Sequence, residues 1–173
     1  MQEVLLVDSN DIPYGQMEKL EAHRKGLLHR AFSVFIFNER NELLLQQRAF
    51  GKYHSGGLWT NTCCSHPTPN ESLETCGERR LEEEMGFSAP LTRLFAFEYR
   101  VALDNELIEH EYDHVLTGVY NGTVVPNPEE VMDYRWISRN DLDKELLQHP
   151  EQFTSWFRII FNEHQTHFGQ LFE

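Results

Sequence analysis

Cysteine is scarce in this sequence: its 173 residues contain three, Cys63, Cys64 and Cys76. An odd, sparse set in a chain of this length argues against a disulfide framework and indicates a reducing compartment. The sequence also lacks a long apolar run, and its first ten residues, MQEVLLVDSN, contain no basic segment. We therefore expect no signal peptide, transmembrane segment or lipid anchor, and we expect a cytoplasmic protein.

Positive charge is scarce as well. Lysine and arginine total 15 against 28 aspartates and glutamates, which gives a formal net charge of −13. Non-specific binding to nucleic acid or to an anionic membrane is disfavoured by this balance. An anionic substrate would need a local basic pocket or metal ions. The simplest explanation of the acidity is solubility.

The length and composition fit one compact domain spanning residues 1–173, with 40% hydrophobic residues. We expect a monomer by default, with a dimer as the alternative. The hydrophobic pattern predicts strands at residues 3–7, 31–37, 43–47, 58–64, 91–103, 108–120 and 131–137. Helices are predicted at residues 16–23, 71–85, 138–147 and 152–167, with turns or loops at 8–15 and 51–57. This mixture indicates an α/β or α+β sandwich.

Reactive side chains are concentrated in residues 59–87. The run WTNTCCSHP at 59–67 contains Cys64 and His66, and the predicted helix that follows is rich in glutamate. A thiol placed there can transfer a proton, and carboxylates with imidazoles can hold a divalent metal ion. A buried structural cysteine would need none of these neighbours.

On the predicted helix, Arg80, Glu83 and Glu84 lie at i, i+3 and i+4 and therefore share one face. Two adjacent carboxylates repel each other unless a cation lies near them. The simplest interpretation is a solvated helix face with a Glu–Arg pair.

The spacing is more specific than a charged face, because it resembles the Nudix box, G-x5-E-x7-R-E-U-x-E-E-x-G-U, with U a bulky aliphatic residue. The matching residues are Glu71, Arg79, Leu81, Glu83, Glu84, Gly86 and Phe87. Two positions depart from the pattern: Ser65 stands where the first glycine belongs, and Arg80 replaces the glutamate after the signature arginine. The departures indicate a box altered for something other than ordinary Nudix hydrolysis.

The altered box together with WTNTCCSHP resembles one branch, the type 1 isopentenyl-diphosphate isomerases. The resemblance extends over residues 19–156 and rests on several ordered elements. These are Lys19, His23 and His29; Arg48 and Lys52; Tyr99, Glu109 and Glu111; the run MDYRW at 132–136; and Trp156.

The resemblance implies a Nudix-type α/β/α sandwich with a mixed central sheet. It also implies isomerisation of isopentenyl diphosphate to dimethylallyl diphosphate through a tertiary carbocation, a step of isoprenoid biosynthesis. It implies divalent metals and no flavin.

A metal site is implied at His23, His29, His66, Glu109 and Glu111. Residues two apart on a strand face the same side, so both carboxylates can converge on one ion. Three imidazoles and two carboxylates suit Mn²⁺, Zn²⁺ or Mg²⁺.

The resemblance assigns the substrate diphosphate to four cations, Lys19, Arg48, Lys52 and Arg80. Arginine offers a planar fork for phosphate oxygens and lysine a point charge. The arginine at position 80 exchanges a carboxylate suited to hydrolysis for a cation suited to diphosphate. Glu84 is expected to reach a Mg²⁺ ion bound to that diphosphate.

Cys64 and Glu111 are the implied acid–base pair, and which of them is the acid stays open. Tyr99 is expected beside Glu111, and Trp156 is expected to stabilise the carbocation through its π face. Cys63 is the weaker thiol candidate, because alternation along a strand turns it to the opposite face.

Two alternatives stay open. One is a Nudix hydrolase of a nucleoside diphosphate derivative, against which Arg80, Cys64 and the Glu-x-Glu strand argue. The other is a catalytically silent Nudix protein that binds metal or diphosphate, which would need none of Cys64, Tyr99 and Glu111.

Overall fold

The computed structural model describes residues 1–172, which form nine strands, four α-helices and two 3-10 helices. The strands are β1 (Glu3–Val7), β2 (Pro13–Glu18), β3 (His29–Phe37), β4 (Leu43–Arg48), β5 (Trp59–Thr60), β6 (Cys63–Ser65), β7 (Thr92–Ala102), β8 (Ile108–Val119) and β9 (Val131–Ile137). The α-helices are α1 (Lys19–Lys25), α2 (Leu73–Met85), α3 (Arg139–Gln148) and α4 (Ser155–Glu163), and the 3-10 helices are Pro150–Gln152 and Gln165–Phe172. Within this part of the chain, no helix has both the length and the apolar character needed to cross a bilayer.

All nine strands belong to one mixed sheet centred on β3 and β8, which pair in parallel from His29↔Glu111 to Phe37↔Val119. The antiparallel partners are β7 on β8, β6 on β3, β9 on β4, and β2 on β1. The predicted mixed sheet is confirmed.

Helices cover both faces of the sheet, because alternate residues of β3 point to opposite sides. Phe35 belongs to a core that contains Phe157 of α4, whereas Val34 belongs to a second core that contains Leu81 of α2. The fold is therefore the α/β/α sandwich that the resemblance implied.

Helix α2 confirms the most regular of the predicted helices, with its start two residues later than expected. The Ser72 hydroxyl accepts a hydrogen bond from the Thr75 backbone N–H at 3.1 Å, which caps the first turn. Gly86 ends the helix with a left-handed φ of 75°.

Four predicted elements were wrong in part. The turn or loop predicted at 8–15 ends at residue 12, because Pro13 begins strand β2. Residues 16–18, predicted as helix, belong to strand β2, an exposed edge strand whose polar sequence carries no hydrophobic alternation. Helix α1 begins only at Lys19, and the Glu18 carboxylate caps it by accepting hydrogen bonds from the backbone N–H groups of Leu20 and Glu21. The strand predicted at 58–64 is divided into β5 and β6. The helix predicted at 152–167 is interrupted by Thr154, which is extended (ψ 153°), and α4 ends at Glu163.

Candidate active site

A cavity of about 370 Å³ opens where α1, α2, β6, β8 and the loop after β4 meet. Eleven of the thirteen residues predicted for the site line it: Lys19, Arg48, Lys52, Cys64, His66, Arg80, Glu84, Tyr99, Glu109, Glu111 and Trp156. The other two, His23 and His29, are fully buried, and both rings lie within 6 Å of the His66 ring.

Four of the predicted metal ligands converge at the cavity wall, two of them lining the cavity and two buried behind it. His29 opens β3 and pairs in register with Glu111 of β8, while His23 comes from α1 and His66 follows β6. One ligand atom from each of these four residues lies within 4.8 Å of the others. The parallel pairing of β3 and β8 therefore brings together ligands that are far apart in sequence.

The hydrogen bonds of two imidazoles leave them ready to bind an ion. His23 Nδ1–H donates to Lys19 O at 2.7 Å, and His29 Nδ1–H donates to Leu27 O at 2.9 Å. Each Nε2 is consequently an unprotonated acceptor, and both Nε2 atoms are buried with no hydrogen-bond partner. Buried, unpartnered lone pairs beside carboxylates fit a divalent cation, so the cluster supports divalent-metal binding.

The two carboxylates of β8 differ in their surroundings. Glu111 accepts a hydrogen bond from Tyr99 Oη at 2.8 Å, and its other oxygen lies 3.1 Å from His66 Nε2. Burial opposes ionisation of Glu111, but the neighbouring imidazoles of His29 and His66 outweigh it and hold its pKa well below the usual value. Burial and the neighbouring Glu111 charge raise the pKa of Glu109, whose Oε2 is buried without a partner.

Cys64 faces the cavity as a thiol. Burial, with a smaller contribution from the Asp113 charge, raises its pKa to about 12. Its Sγ lies 3.2 Å from Asn61 Oδ1 and 3.6 Å from Ser33 Oγ. Cys63 packs into the core on the α2 side, which confirms that adjacent strand residues turn the two thiols to opposite faces.

Asn61 joins the thiol to the indole of Trp156. Its Oδ1 accepts from Cys64 Sγ–H at 3.2 Å, from Trp156 Nε1–H at 3.3 Å and from Thr60 Oγ1–H at 2.8 Å. Its amide nitrogen donates to the carbonyls of Val34 and Cys63, so the orientation of the amide is fixed. Trp156 itself is 3% exposed and belongs to the α4-side core as well as to the cavity wall.

The mouth of the cavity combines cations with carboxylates. Arg80 donates to Glu84 Oε1 at 2.6 Å and to Glu83 Oε2 at 2.5 Å, and Lys52 is bonded to Glu130. Burial and the charges of Lys52 and Arg80 lower the pKa of Lys19, which reflects how closely these cations are grouped. The predicted basic set is assembled, and two of its members are already ion-paired.

Sequence reasoning missed other residues of the wall, including Tyr53, His54 and Glu130. His54 is 4% exposed and forms a second potential metal-binding group with His23 and Glu109. A histidine beside an aromatic residue in a glycine-rich loop immediately before WTNT was the available signal. For Glu130 the signal was an acidic pair directly before strand β9.

Comparisons with known proteins agree with this geometry. A family model described as NUDIX domain matches residues 27–157. The chain is 55% identical over 161 residues to the isopentenyl-diphosphate Delta-isomerase of Pectobacterium atrosepticum, covering 93% of this chain and 90% of that protein. It is 54% identical over 174 residues to the enzyme of the same name from Photobacterium profundum, covering 94% and 96%. Among solved structures, the fold is similar to that of DR0079 from Deinococcus radiodurans, with a TM-score of 0.71 and 17% identity over 86% of this chain and 90% of that one.

Proposed function

The chain belongs to the NUDIX family and, within it, to the isopentenyl-diphosphate Delta-isomerases; it isomerises isopentenyl diphosphate to dimethylallyl diphosphate, and we propose that Cys64 and Glu111 carry out the two proton transfers. The observation that carries this assignment is a half-buried thiol and a buried carboxylate in the wall of one cavity, where burial raises the pKa of Cys64 and the neighbouring imidazoles lower the pKa of Glu111.

The reaction moves a double bond by one position. A proton is added at C4, the terminal alkene carbon, and another is removed from C2, with a tertiary carbocation at C3 between the two steps. One group must therefore hold a proton while another is free to accept one. The raised pKa of Cys64 favours the thiol and the lowered pKa of Glu111 favours the carboxylate, so the pair meets this requirement, and the two exchange roles when the reaction reverses.

The sheet separates the two groups across strand β3. Cys64 pairs with Ser33 on the β6 side, whereas Glu111 pairs with His29 on the β8 side. A small substrate lying over β3 would therefore meet the thiol and the carboxylate from different directions. The Tyr99 hydroxyl donates a hydrogen bond to Glu111 Oε2 at 2.8 Å, so Tyr99 orients the carboxylate and can pass a proton to or from it.

The hydrocarbon end of the substrate is expected to lie against Trp156. A desolvated cation over an indole face is stabilised by about 2 kcal/mol or more. The ring is buried and anchored to Asn61, so it can hold its face toward the cavity without a large loss of entropy. Excluding water there protects the carbocation from capture.

The divalent ion is assigned to His23, His29, His66, Glu109 and Glu111, with Mn²⁺, Zn²⁺ or Mg²⁺ as candidates. When bound, such an ion supplies positive charge that offsets the two buried carboxylates and keeps Glu111 ionised. The unpartnered Nε2 atoms of His23 and His29 support this assignment.

The diphosphate end is assigned to Lys19, Arg48, Lys52 and Arg80, with Glu84 reaching the Mg²⁺ that accompanies the diphosphate. Arg80 also favours isomerisation over Nudix hydrolysis. It places a guanidinium on Glu83 and Glu84, two carboxylates of the box that would otherwise be free for hydrolytic metal binding. We further propose that the protein acts as a cytoplasmic monomer. Its three free cysteines fit a reducing compartment. Size-exclusion chromatography tests the monomeric state.

Proton NMR of the purified protein with isopentenyl diphosphate and Mg²⁺ in D₂O tests the function. The expected result is the dimethylallyl isomer with deuterium on carbon. An unchanged carbon skeleton contradicts the proposal, and release of inorganic phosphate instead would favour the hydrolase.

A further inference from the structure

His54 is a buried imidazole in the cavity wall to which the proposed mechanism gives no role. It lies in the loop between β4 and β5 and is 4% exposed. Its Nε2 is 3.8 Å from Glu109 Oε1, too far for a hydrogen bond and suitable for two atoms that share an ion. His54, Glu109 and His23 each offer a ligand atom within 4.8 Å of the others.

Two atoms of this group have no partner of their own. Glu109 Oε2 and His23 Nε2 are both buried without a hydrogen bond among the described residues. Glu111, in contrast, is engaged by Tyr99 and His66. The carboxylate oxygen that lacks a partner is therefore on Glu109, the side on which His54 stands.

The loop is constrained in the conformation that directs His54 inward. Ser55 has a φ of 53°, a left-handed conformation that is uncommon for a residue with a side chain. The His54 ring nitrogen Nδ1 lies 3.0 Å from Ser55 Oγ, and the Arg48 guanidinium donates to His54 O at 3.1 Å. These contacts fix the ring and leave Nε2 pointing toward Glu109.

We propose that His54 is a further ligand of the divalent ion, binding it through Nε2 on the Glu109 side. A second, separate ion is excluded because both groups depend on His23, which has one free ring nitrogen. Across an octahedral ion, opposite ligand atoms are about 4.2 Å apart, twice a bond of about 2.1 Å. Side-chain shifts that bring His54 and Glu109 within this distance of His29, His66 and Glu111 would place all six ligands in one shell.

A fourth imidazole changes which metal the site prefers. Imidazole favours borderline ions such as Co²⁺ and Zn²⁺, whereas carboxylate and water suit Mg²⁺. His54 is thus a selectivity residue that directs the site away from Mg²⁺. A role limited to contact with Trp156, whose ring centroid lies 5.7 Å away, would leave metal affinity unchanged.

The test uses the full chain stripped of metal and titrated with Co²⁺ or Mg²⁺ in the absence of substrate. Affinity is measured by competition with a chromophoric chelator, and coordination by the visible absorption of Co²⁺. We expect His54→Ala and His54→Gln to weaken Co²⁺ binding at least about tenfold, to change its absorption spectrum and to reduce the preference for Co²⁺ over Mg²⁺. The control is His149→Ala, at an exposed position outside the cavity, which should match the wild type.

His29→Ala separates this inference from the metal site on which it rests. If the wild type binds no Co²⁺, the metal assignment itself fails. If His29→Ala abolishes binding while both His54 variants retain wild-type affinity and spectrum, the role of His54 alone is overturned. Thermal unfolding of each metal-free variant checks the fold, and His54→Gln, which preserves more of the side-chain volume, carries the test if the alanine variant does not fold.

Discussion

Replacing Cys64 with alanine should abolish most of the catalysis while leaving the protein folded and able to bind substrate. A positioned acid or base contributes about 10²- to 10⁴-fold to the rate, so kcat should fall by that factor, or by about 3–5.5 kcal/mol in transition-state stabilisation. The diphosphate is assigned to other residues, so the affinity for substrate should change little.

The structure predicts a small cost in stability for the same change. Cys64 donates to Asn61 Oδ1, but that oxygen keeps its bonds from Thr60 Oγ1 and Trp156 Nε1 after the thiol is removed. No buried acceptor is left unsatisfied, so the free energy of unfolding should fall by only about 1 kcal/mol.

The assay is the NMR conversion in D₂O at saturating substrate, with calorimetry for substrate binding and urea denaturation for stability. Cys64→Ser should be similarly slow, because a hydroxyl is a much poorer proton donor than a thiol. Cys63→Ala, on the same strand but in the core of the opposite face, should retain the wild-type rate in its folded fraction. A Cys64→Ala rate within tenfold of the wild type would refute the assignment of the thiol.

Three further results are expected. Trp156→Leu should lower kcat about 30-fold more than Trp156→Phe, because about 2 kcal/mol of cation–π stabilisation is lost only when the aromatic face is removed. Equal losses of kcat for the two variants in steady-state kinetics would contradict that role. Gly86→Ala should lower the urea midpoint and reduce the free energy of unfolding by more than about 2 kcal/mol. The reason is that φ is +75° and the new Cβ would lie 2.1 Å from Val125 O. An unchanged midpoint would show that α2 does not need this conformation. In the metal-free protein, burial lowers the pKa of His66 from 6.5 to about 4, so the unfolded chain binds more protons between these values. Stability should therefore be complete above about pH 6.5 and decline toward pH 4, and His66→Gln should reduce that slope in urea titrations. The buried His23 and His54, whose pKa values are also lowered, account for what remains. A slope unchanged by the substitution would rule out His66 as a source.

Local patterns predicted the parts of the fold that local interactions determine. Helix α2 could be predicted because Ser72 and Gly86 mark its ends and its apolar residues recur at helical spacing. Strand β2 could not, because it is an exposed edge strand whose polar residues are held by pairing with β1 rather than by a buried face. The interruption at Thr154 likewise depends on a distant contact, the hydrogen bond from its backbone N–H to Trp59 O.

The candidate site shows the same division. The resemblance supplied a residue set that the fold brings to one cavity or directly behind it, although the role of each residue stays a prediction. The direction of a loop side chain was beyond the sequence, since His54 is aimed by the Arg48 guanidinium and by the left-handed Ser55 backbone. The pairing of Arg80 with Glu83 and Glu84, in contrast, follows from their helical spacing, and the simplest interpretation of that face had indicated it.

The pairing of His29 with Glu111 has a consequence for the order in which the molecule assembles. These residues are neighbours only when β3 and β8 are side by side, and β8 is synthesised long after β3. Parallel pairing across such a separation forms slowly, because the entropy of closing the intervening chain must be overcome first. The nascent chain therefore has isolated histidines but no metal site until its central sheet is complete. An ion captured at that stage slows unfolding of a nearly finished structure and does not serve as its folding nucleus.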